Sequence, residues 1–458
     1  MLTGSLRKII LRCAGYIGMD KAIFFTIVAR ATAVGSGFLI IFFIAKYISL
    51  ERQGYYYTFY SLIALQIFIE LGLNVAIVQF VSHEMANLSL LPRGSVQGDP
   101  ESKERLKSVT RFAFIWLSCG SFIMILLLIP LGGYFFSSIG NNSLDKNNDV
   151  FFPWILLVIS SSLGIALNAA FSILEGVGKI KQVAQIRTSQ TIVSAIFICF
   201  FLAINSDLYS IAFGSLASVV VGFIWVHSSY KLFFRDLLQP NTSTFKGINW
   251  RNEIWPFQWR IAVSWASGYL VFQIFTPMLL ATHGPTEAGR MGMSMQIFNA
   301  LNAGAMAWVS TKIPAFGNLI AKGNRKQLDF IFFQSLRQST ILLLIGILFC
   351  AVLLILLNYI GSDFYQRLLQ PYLLGFLAIA CISNHIVFAE AAYLRAHKEE
   401  PFMVVSVLNG ISTLVLALIL IRPYGAVGAV LSYACSTLFI ALFYGTFIFL
   451  KKRKQWGA

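Results

Sequence analysis

Apolar windows of about 20 residues recur along the whole chain, separated by short segments that hold most of the charged residues. An α-helix needs about 20 consecutive apolar residues to cross the hydrocarbon layer of a membrane. The pattern predicts an all-α polytopic membrane protein with about twelve spans, at residues 23–48, 54–82, 111–136, 150–175, 182–204, 208–230, 258–281, 290–316, 336–358, 369–394, 402–421 and 424–450.

Lysine and arginine are unevenly distributed among the segments that connect these spans. If the N-terminus is cytoplasmic, 24 of the 35 Lys and Arg residues lie in cytoplasmic segments, six in outside segments and five in or beside spans. Cytoplasmic loops of membrane proteins are enriched in Lys and Arg. The distribution therefore predicts twelve spans with both termini in the cytoplasm. It also accounts for the formal net charge of +16 without a nucleic-acid partner.

The chain divides into two sets of six spans with no soluble domain between them. The first set covers residues 23–230 and the second covers residues 258–450, and a cytoplasmic linker at 231–257 joins them. Residues 1–22 are basic and amphipathic, which is typical of a segment lying on the cytoplasmic membrane surface. Residues 451–458 form a basic cytoplasmic tail.

Two pairs of segments indicate that the second half repeats the first. The sequence SGFLIIFFIA (36–45) resembles SGYLVFQIFT (267–276), and ERQGYYYTFYSL (51–62) aligns with TEAGRMGMSMQI (286–297). Six spans in each half give both halves the same orientation, so the repeats are parallel and related by an axis along the membrane normal. This arrangement predicts two six-helix bundles around a central cavity.

Several polar and ionisable residues fall inside the predicted spans. An ionisable group there costs roughly 2.5–3.5 kcal/mol on insertion scales and usually faces a cavity or an opposite charge. Arg30 and Arg260 precede the repeated segments in the two halves, and four-residue spacing places Gln66, Glu70 and Asn74 on one helical face. The residues predicted to line the cavity are Arg30, Gln66, Glu70, Asn74, Arg260, Asn299, Asn302 and Lys312.

Other interpretations of the intramembrane residues stay open. Arg30 could pair with Glu70 in a structural salt bridge. Basic residues near the cytoplasmic helix ends, such as Arg187, are expected to extend to lipid headgroups. Amide side chains commonly form hydrogen bonds between membrane helices, and this is the interpretation favoured for Asn168, Gln273 and Asn384.

The sequence lacks the motifs of several other chemistries. It contains no GxxxxGK[ST] loop for nucleotide phosphates, and its five histidines include no pair at i, i+4 spacing for a metal. Six cysteines are scattered singly, which is typical of small apolar fillers rather than of disulfides or zinc ligands. No cofactor, no metal and no catalytic residue is predicted.

The stretch ISLERQGYYYTFYSLIALQIFIELGLNVAIVQFVSHE (48–84) resembles the second-helix signature of the polysaccharide exporters, or O-antigen flippases, in the multidrug/oligosaccharidyl-lipid/polysaccharide exporter superfamily. Gly54 and Tyr55 follow its short polar loop, and Glu70 precedes the Leu-Gly pair. LEGVGK (174–179) is similar to the end of that family's fourth helix. These proteins often have arginine where this chain has Gln79, so no basic contact is carried over to that position.

The resemblance implies a flippase that moves an undecaprenyl-pyrophosphate-linked oligosaccharide from the cytoplasmic to the periplasmic leaflet of a bacterial inner membrane by alternating access. The implied partners are this lipid-linked glycan, membrane lipid, a glycan polymerase and other assembly proteins. A cation-coupled multidrug antiporter of the same superfamily is the alternative, and a membrane glycan polymerase or ligase is less favoured. The candidates for ion coupling are Glu70, His385 and Glu390.

Overall fold

The computed structural model describes residues 21–91, 95–139, 146–239, 249–397 and 401–457. The predicted surface segment at 1–22 lies outside these ranges except for its last two residues. Residues 240–248 of the predicted linker also lie outside them.

The N-terminal half begins with a long helix and continues through a broken one. Its helices and strands are α1 (Lys21–Tyr47), α2 (Leu50–Ile63), α3 (Ile67–Glu70), α4 (Leu73–Glu84), β1 (Leu88–Leu90), β2 (Val96–Gly98), α5 (Pro100–Ile139), α6 (Lys146–Gly176), α7 (Ile180–Ala203) and α8 (Tyr209–Leu238). The 3-10 turns at Ala64–Gln66 and Met85–Asn87 extend α2 and α4. The two short strands pair in an antiparallel hairpin with Ser89 opposite Gln97.

The C-terminal half begins with a π-helical turn at Trp250–Ile254. Its helices are α9 (Trp255–Phe272), α10 (Phe275–His283), α11 (Pro285–Ser310), α12 (Ile313–Ala321), α13 (Arg325–Tyr359), α14 (Pro371–Ala396), α15 (Met403–Tyr424), α16 (Ala426–Cys435) and α17 (Gly445–Gly457). A 3-10 turn at Tyr365–Arg367 precedes α14, and a π-helical stretch at Ser436–Tyr444 joins α16 to α17.

Twelve membrane crossings follow from these helices. Nine helical segments of the described residues are long and apolar enough to cross a membrane, and the series α2 to α4, bent by 42°, makes the tenth. One of the nine, Met403–Trp456, is a hairpin, because the chain reverses at Gly425 and the hydroxyl oxygens of Thr413 and Ser436 lie 2.7 Å apart. The remaining crossing is α11, which has 26 residues but more polar side chains. The predicted all-α fold with about twelve spans is confirmed.

The second crossing is not the continuous helix that the sequence predicted. Leu71 and Gly72 have positive φ angles of 46° and 68°, which end α3 and start α4 in a new direction. Such a backbone suits glycine, and a Cβ at position 72 would also overlap the side chain of Ile261 in α9. The helical register breaks between Glu70 and Asn74, yet Asn74 Nδ2 still donates to the Glu70 carboxylate at 3.1 Å, so the two side chains stay adjacent. The single polar face facing a cavity stays a prediction.

Some helices extend well beyond the predicted spans. The third crossing, α5, begins at Pro100 rather than at 111, and the ninth, α13, begins at Arg325 rather than at 336. Hydropathy identifies only the apolar part of a helix. The polar first turns of α5 and α13 belong to the same helices, because their backbone hydrogen bonds continue from residue to residue in the same pattern.

The two halves meet closely along α2 and α11, a contact that we call the seam. A Cβ on Gly54 would overlap the carbonyl group of Pro285, and a Cβ on Gly292 would overlap Tyr57. Small residues let membrane helices approach closely, so that packing and hydrogen bonds can hold them together in lipid. The seam therefore joins the two segments whose sequences align as repeats.

Candidate functional site

A cavity of about 500 Å³ lies between the two halves beside the seam, and we call it the central cavity. One wall comes from α1 and α2, and the other from the segment α9 to α11. Its apolar lining consists mainly of Ala33, Val34, Gly37, Phe272, Met295, Ala300, Ala303 and Met306. Its polar lining consists of Arg30, Tyr57, Tyr60, Ser61, Gln273, Thr276, Gln296 and Asn299.

The seam borders the central cavity, because Tyr57 and Gly292 of the seam line it. Gln53 is fully buried in the seam, and its Nε2 donates to the carbonyl oxygens of Gly289 and Arg367 at 2.9 and 3.1 Å. Nη1 of Arg367 donates to Oε1 of Gln53 at 3.2 Å, so the amide is held on both sides. Burial lowers the pKa of the Arg367 guanidinium, and the charge of Asp363 opposes this shift.

Three adjoining cavities, lined almost wholly by the N-terminal half, have volumes of about 710, 420 and 300 Å³. Gln296 of α11 also lines the 420 Å³ cavity. The three cavities share Ser218 of α8, and together we call them the N-half hollow. Its hydroxyl and amide lining includes Ser36, Gln66, Ser161, Asn168, Gln190, Thr191, Ser194, Ser215 and Ser218. Its charged lining consists of Arg30, Glu175 and Arg187.

Arg30 lies where the central cavity meets the N-half hollow, because it lines both. Its side chain is exposed, and it has no ion pair or hydrogen bond to any residue that the structure describes. The pairing with Glu70 that the sequence left open is not formed in this structure. The guanidinium of Arg30 is therefore available to an anion.

Glu70 is 8% exposed and lies between α3, α4 and α6. Its carboxylate oxygens accept hydrogen bonds from Nδ2 of Asn168 at 3.2 Å and from Nδ2 of Asn74 at 3.1 Å. Ser172 Oγ donates to Oδ1 of Asn74 at 3.2 Å and extends the network. Neither Glu70 nor Asn74 is among the residues that line the central cavity or the N-half hollow, whereas Gln66 lines the hollow.

The two asparagines predicted to share a face of α11 have different surroundings. Asn299 is exposed and lines the central cavity. Asn302 is buried, and its Oδ1 lies 3.0 Å from Nδ1 of His385. The other ring nitrogen of His385, Nε2, lies 2.9 Å from Oγ of Ser339. These contacts tie α11, α13 and α14 together inside the C-terminal half, as interhelical hydrogen bonds do in membranes.

Arg260, Lys312 and Glu390 are not among the residues that line the central cavity or the N-half hollow. Arg260 is exposed, with its guanidinium carbon 5.7 Å from the ring centre of Trp259. Lys312 is exposed at the start of α12. Glu390 is 3% exposed inside the C-terminal half and accepts a hydrogen bond from Thr446 Oγ1 at 3.1 Å. Their roles in cavity lining and ion coupling stay predictions.

A polar stripe on α7 lines the N-half hollow, and the sequence analysis had not assigned it to a cavity. Arg187, Gln190, Thr191 and Ser194 recur at i, i+3, i+4 and i+7, which places them on one helical face. Arg187 was expected to extend to lipid headgroups, but it lines the hollow with its Nε 3.5 Å from the carboxylate of Glu175. The helical spacing of polar residues within an apolar window is the signal that identifies this stripe.

The segment that connects the halves is anchored to the N-terminal half. Arg105 of α5 donates from Nε to Glu84 at 2.9 Å and from Nη2 to Glu253 at 2.7 Å. The backbone N–H of Asn249 also donates to the Glu253 carboxylate at 2.9 Å. The hydrogen bonds from Asn249 and Arg105 lower the pKa of the Glu253 carboxyl. These contacts hold the start of the second half against α5.

The chemistry offered by the two hollow regions is that of guanidinium, hydroxyl and amide groups. Within the ranges that the structure describes, no group of three or more His, Cys, Asp or Glu residues is arranged for a metal ion. The lining can bind an anion at Arg30 and can exchange hydrogen bonds with a polar ligand.

Several transporters are among the solved structures that superpose on this chain. The chain superposes on an inward-facing multidrug resistance MATE family transporter of the MOP superfamily with a TM-score of 0.68 and 13% identity, over 94% of this chain and 99% of that one. An outward-facing MATE family transporter gives a TM-score of 0.64 at 13% identity, over 95% and 96% of the two chains.

A MOP superfamily transporter from Pyrococcus furiosus, characterised by the reverse polarity of its binding pocket, gives a TM-score of 0.65 at 14% identity, over 95% and 96% of the two chains. The protein therefore has the MOP transporter fold. The predicted two six-helix bundles in parallel repeat around a central cavity are confirmed.

The family model for polysaccharide biosynthesis proteins matches residues 20–320, which is more than half of the chain. The protein belongs to this family, and the resemblance noted in its sequence is confirmed. No curated protein matches the sequence.

Proposed function

We propose that the protein flips an undecaprenyl-pyrophosphate-linked oligosaccharide, such as an O-antigen unit, from the cytoplasmic to the periplasmic leaflet of a bacterial inner membrane. Such a cargo has an apolar tail, a diphosphate and a polar glycan. Its head must cross about 30 Å of hydrocarbon, and buried polar groups without partners cost several kcal/mol each. A protein with a polar path removes this cost. Membership in the polysaccharide biosynthesis family supports a glycan cargo.

The observation that carries the proposal is the position of Arg30. Its exposed guanidinium lines the cavity between the two halves and has no partner among the residues that the structure describes. Arginine binds phosphate oxygens through two parallel hydrogen bonds. A positive group at this point favours an anionic cargo, such as a diphosphate, over a cationic drug.

The proposed transport cycle is alternating access. The distribution of Lys and Arg orients the seam towards the periplasm, where the buried Gln53 joins the two halves beside the central cavity. The conformation is then one that receives cargo from the cytoplasmic side. Export requires one half to rock against the other, so that the seam opens while the cytoplasmic side closes.

Exchange of Arg30 tests the proposal in a bacterial strain whose surface glycan depends on this protein. Arg30→Ala removes charge-assisted hydrogen bonds worth about 1.5–3 kcal/mol each, so surface glycan is expected to fall by about tenfold or more. Arg30→Lys keeps the charge but not the planar, two-pronged geometry, so an intermediate level is expected. Surface glycan is measured by antibody or lectin staining, normalised to the amount of protein in the membrane.

Lys451→Ala is the matched control for loss of one positive charge. Lys451 is exposed on α17 and lines neither the central cavity nor the N-half hollow, so surface glycan is expected to stay at the wild-type level. Wild-type glycan in the Arg30→Ala strain would contradict the proposal.

A cation-coupled multidrug antiporter is the second candidate function. The buried carboxylates Glu70 and Glu390, one in each half, favour it, as do the multidrug resistance transporters among the structural neighbours. This function predicts that Glu70→Gln abolishes cation-dependent drug efflux and that no surface glycan depends on the protein. Drug efflux and surface glycan, measured in the same deletion strain with and without the gene, separate the two functions.

A further inference from the structure

We infer that the N-half hollow binds the glycan part of the cargo, with the diphosphate at Arg30 on its edge. The inference rests on the proposed flippase function and adds which region of the molecule holds which part of the cargo. Arg30 then lies at the diphosphate, because among the residues that line both regions it is the one that carries a positive charge, the others being Ala33, Gly37, Tyr60 and Gln296.

The N-half hollow offers hydrogen-bonding groups from three helices. Between apolar side chains such as Leu157 and Ile198, small hydroxyl and amide side chains line it: Ser161 and Asn168 of α6, Gln190 and Ser194 of α7, and Ser215 and Ser218 of α8. Groups on several sides of a cavity can exchange hydrogen bonds with several sugar hydroxyls at once.

The serine hydroxyls of the hollow are available to a ligand. A serine in a membrane helix can donate to the carbonyl one turn earlier, as Ser267 does to Val263 at 2.8 Å. Four serines of the hollow make no side-chain hydrogen bond to any residue within the described ranges: Ser161, Ser194, Ser215 and Ser218. These hydroxyls therefore keep their full hydrogen-bonding capacity for a bound molecule.

The charge balance of the hollow favours a neutral polyhydroxylated ligand there. Arg187 has the Glu175 carboxylate 3.5 Å away, so the two largely neutralise each other. Among the described residues that line the hollow, Arg30 is then the cation without a carboxylate partner. Hydroxyls and amides both donate and accept hydrogen bonds, as sugar hydroxyls do. The three cavities, about 300, 420 and 710 Å³, lie within the volume range of small-ligand sites, about 300–1,000 Å³.

The test compares two lipid probes on the purified full-length protein in detergent. One probe is undecaprenyl diphosphate, and the other is the same lipid carrying N-acetylglucosamine. The double variant Ser215→Ala with Ser218→Ala removes two neutral hydrogen bonds to the sugar. It is expected to weaken binding of the sugar-bearing lipid about fivefold to tenfold, which corresponds to about 1–1.4 kcal/mol. Binding of undecaprenyl diphosphate is expected to stay unchanged.

Ser267→Ala is the matched control, because that hydroxyl already donates within its own helix, and neither probe should bind differently. Arg30→Ala should weaken both probes. If the double variant weakens both probes equally, or neither, the assignment of the glycan to the N-half hollow is overturned while the flippase function stands. If the wild-type protein binds neither probe and supports no surface glycan, the proposed function itself fails.

Discussion

Arg30 is a cation inside a membrane helix that no carboxylate neutralises within the described chain. An arginine in a membrane helix costs up to roughly 2.5–3.5 kcal/mol, the value at the helix centre, unless water or a partner reaches it. Arg187 meets the same cost with Glu175 beside it, whereas Arg30 meets it by facing the central cavity and the N-half hollow. The difference between the two arginines is what assigns anion binding to Arg30.

At the same scale, the lowered pKa of Glu253 predicts a dependence of stability on pH. Because the pKa is lower in the folded protein than the unfolded value of about 4.3, the carboxylate stabilises the fold above that pH. This contribution is lost as the pH falls through the lowered pKa. Glu253→Gln should therefore melt at a lower temperature than the wild-type protein at pH 7, and the difference should shrink as the pH falls below about 4.3.

Thermal unfolding of the detergent-solubilised protein, followed at several pH values, checks this expectation. Glu101→Gln is the control, because Glu101 is exposed on α5 and has no hydrogen bond or ion pair to a described residue. An equal difference between wild type and Glu253→Gln at pH 7 and at pH 3.5 would exclude a stabilising role for the ionised carboxylate.

The sequence identifies the polar residues inside the spans, but it does not show whether each one faces a cavity or another helix. It selected Arg30 and Asn299, which line the central cavity. It also selected Asn302, which forms a hydrogen bond with His385 inside the C-terminal half. Helical periodicity gives the face that a residue occupies, but the helix that packs on that face is set by tertiary structure.

At the scale of single elements, the seam between α2 and α11 depends on glycine. Gly292 lies so close to Tyr57 that even a Cβ would overlap it, whereas a Cβ at Gly304 of the same helix would meet nothing within 4 Å. A bulky side chain at 292 should thus hold the seam apart, and the same side chain at 304 should not.

The prediction is that Gly292→Leu opens the central cavity towards the periplasm. A cysteine placed at Ser61, which is buried and lines that cavity, should react faster with a membrane-impermeant thiol reagent added outside intact cells. The measurement is made in a chain whose six native cysteines are replaced. Gly304→Leu is the control and should label at the wild-type rate. Unchanged labelling in Gly292→Leu would mean that the seam is not the periplasmic barrier.

The break in the second crossing shows a limit of sequence patterns at the element scale. Leu71 and Gly72 lie inside a continuous apolar window, and hydropathy alone predicts one straight helix there. Glycine at 72 suits the left-handed backbone, and a Cβ there would overlap Ile261 of α9. The glycine is visible in the sequence, but its close contact with α9 joins residues far apart in the chain, so hydropathy does not reveal the break.

At the scale of the whole molecule, hydropathy and loop charge were sufficient to predict twelve crossings and two halves. Those features depend on the bilayer, which acts on every span in the same way. The N-half hollow was not predicted, because it forms where α1, α2, α6, α7 and α8 leave space between them. Its polar stripe on α7 was visible in the sequence, but the surrounding helices decide that it lines a hollow rather than meeting lipid.

The two halves are connected in a way that suits rocking motion. At one end, the seam holds them together through Gln53 and the close contacts of glycine. At the other end, Arg105 and Glu253 fix the connecting segment to α5. If the seam opens during transport, the anchored start of α9 keeps the two halves attached to each other. The central cavity can then open towards the periplasm instead of the cytoplasm.

The most direct measurement of the central claim is transport by the purified protein in liposomes that contain undecaprenyl-diphosphate-linked N-acetylglucosamine. Lipid that reaches the outer leaflet is detected by a glycosyltransferase added outside, which extends only exposed sugars. The account predicts that the wild-type protein moves lipid from the inner to the outer leaflet. Arg30→Ala is expected to slow this transfer about tenfold or more, to near the protein-free rate, because it loses about 1.5–3 kcal/mol of diphosphate binding. Equal rates for the wild-type protein and Arg30→Ala would contradict it.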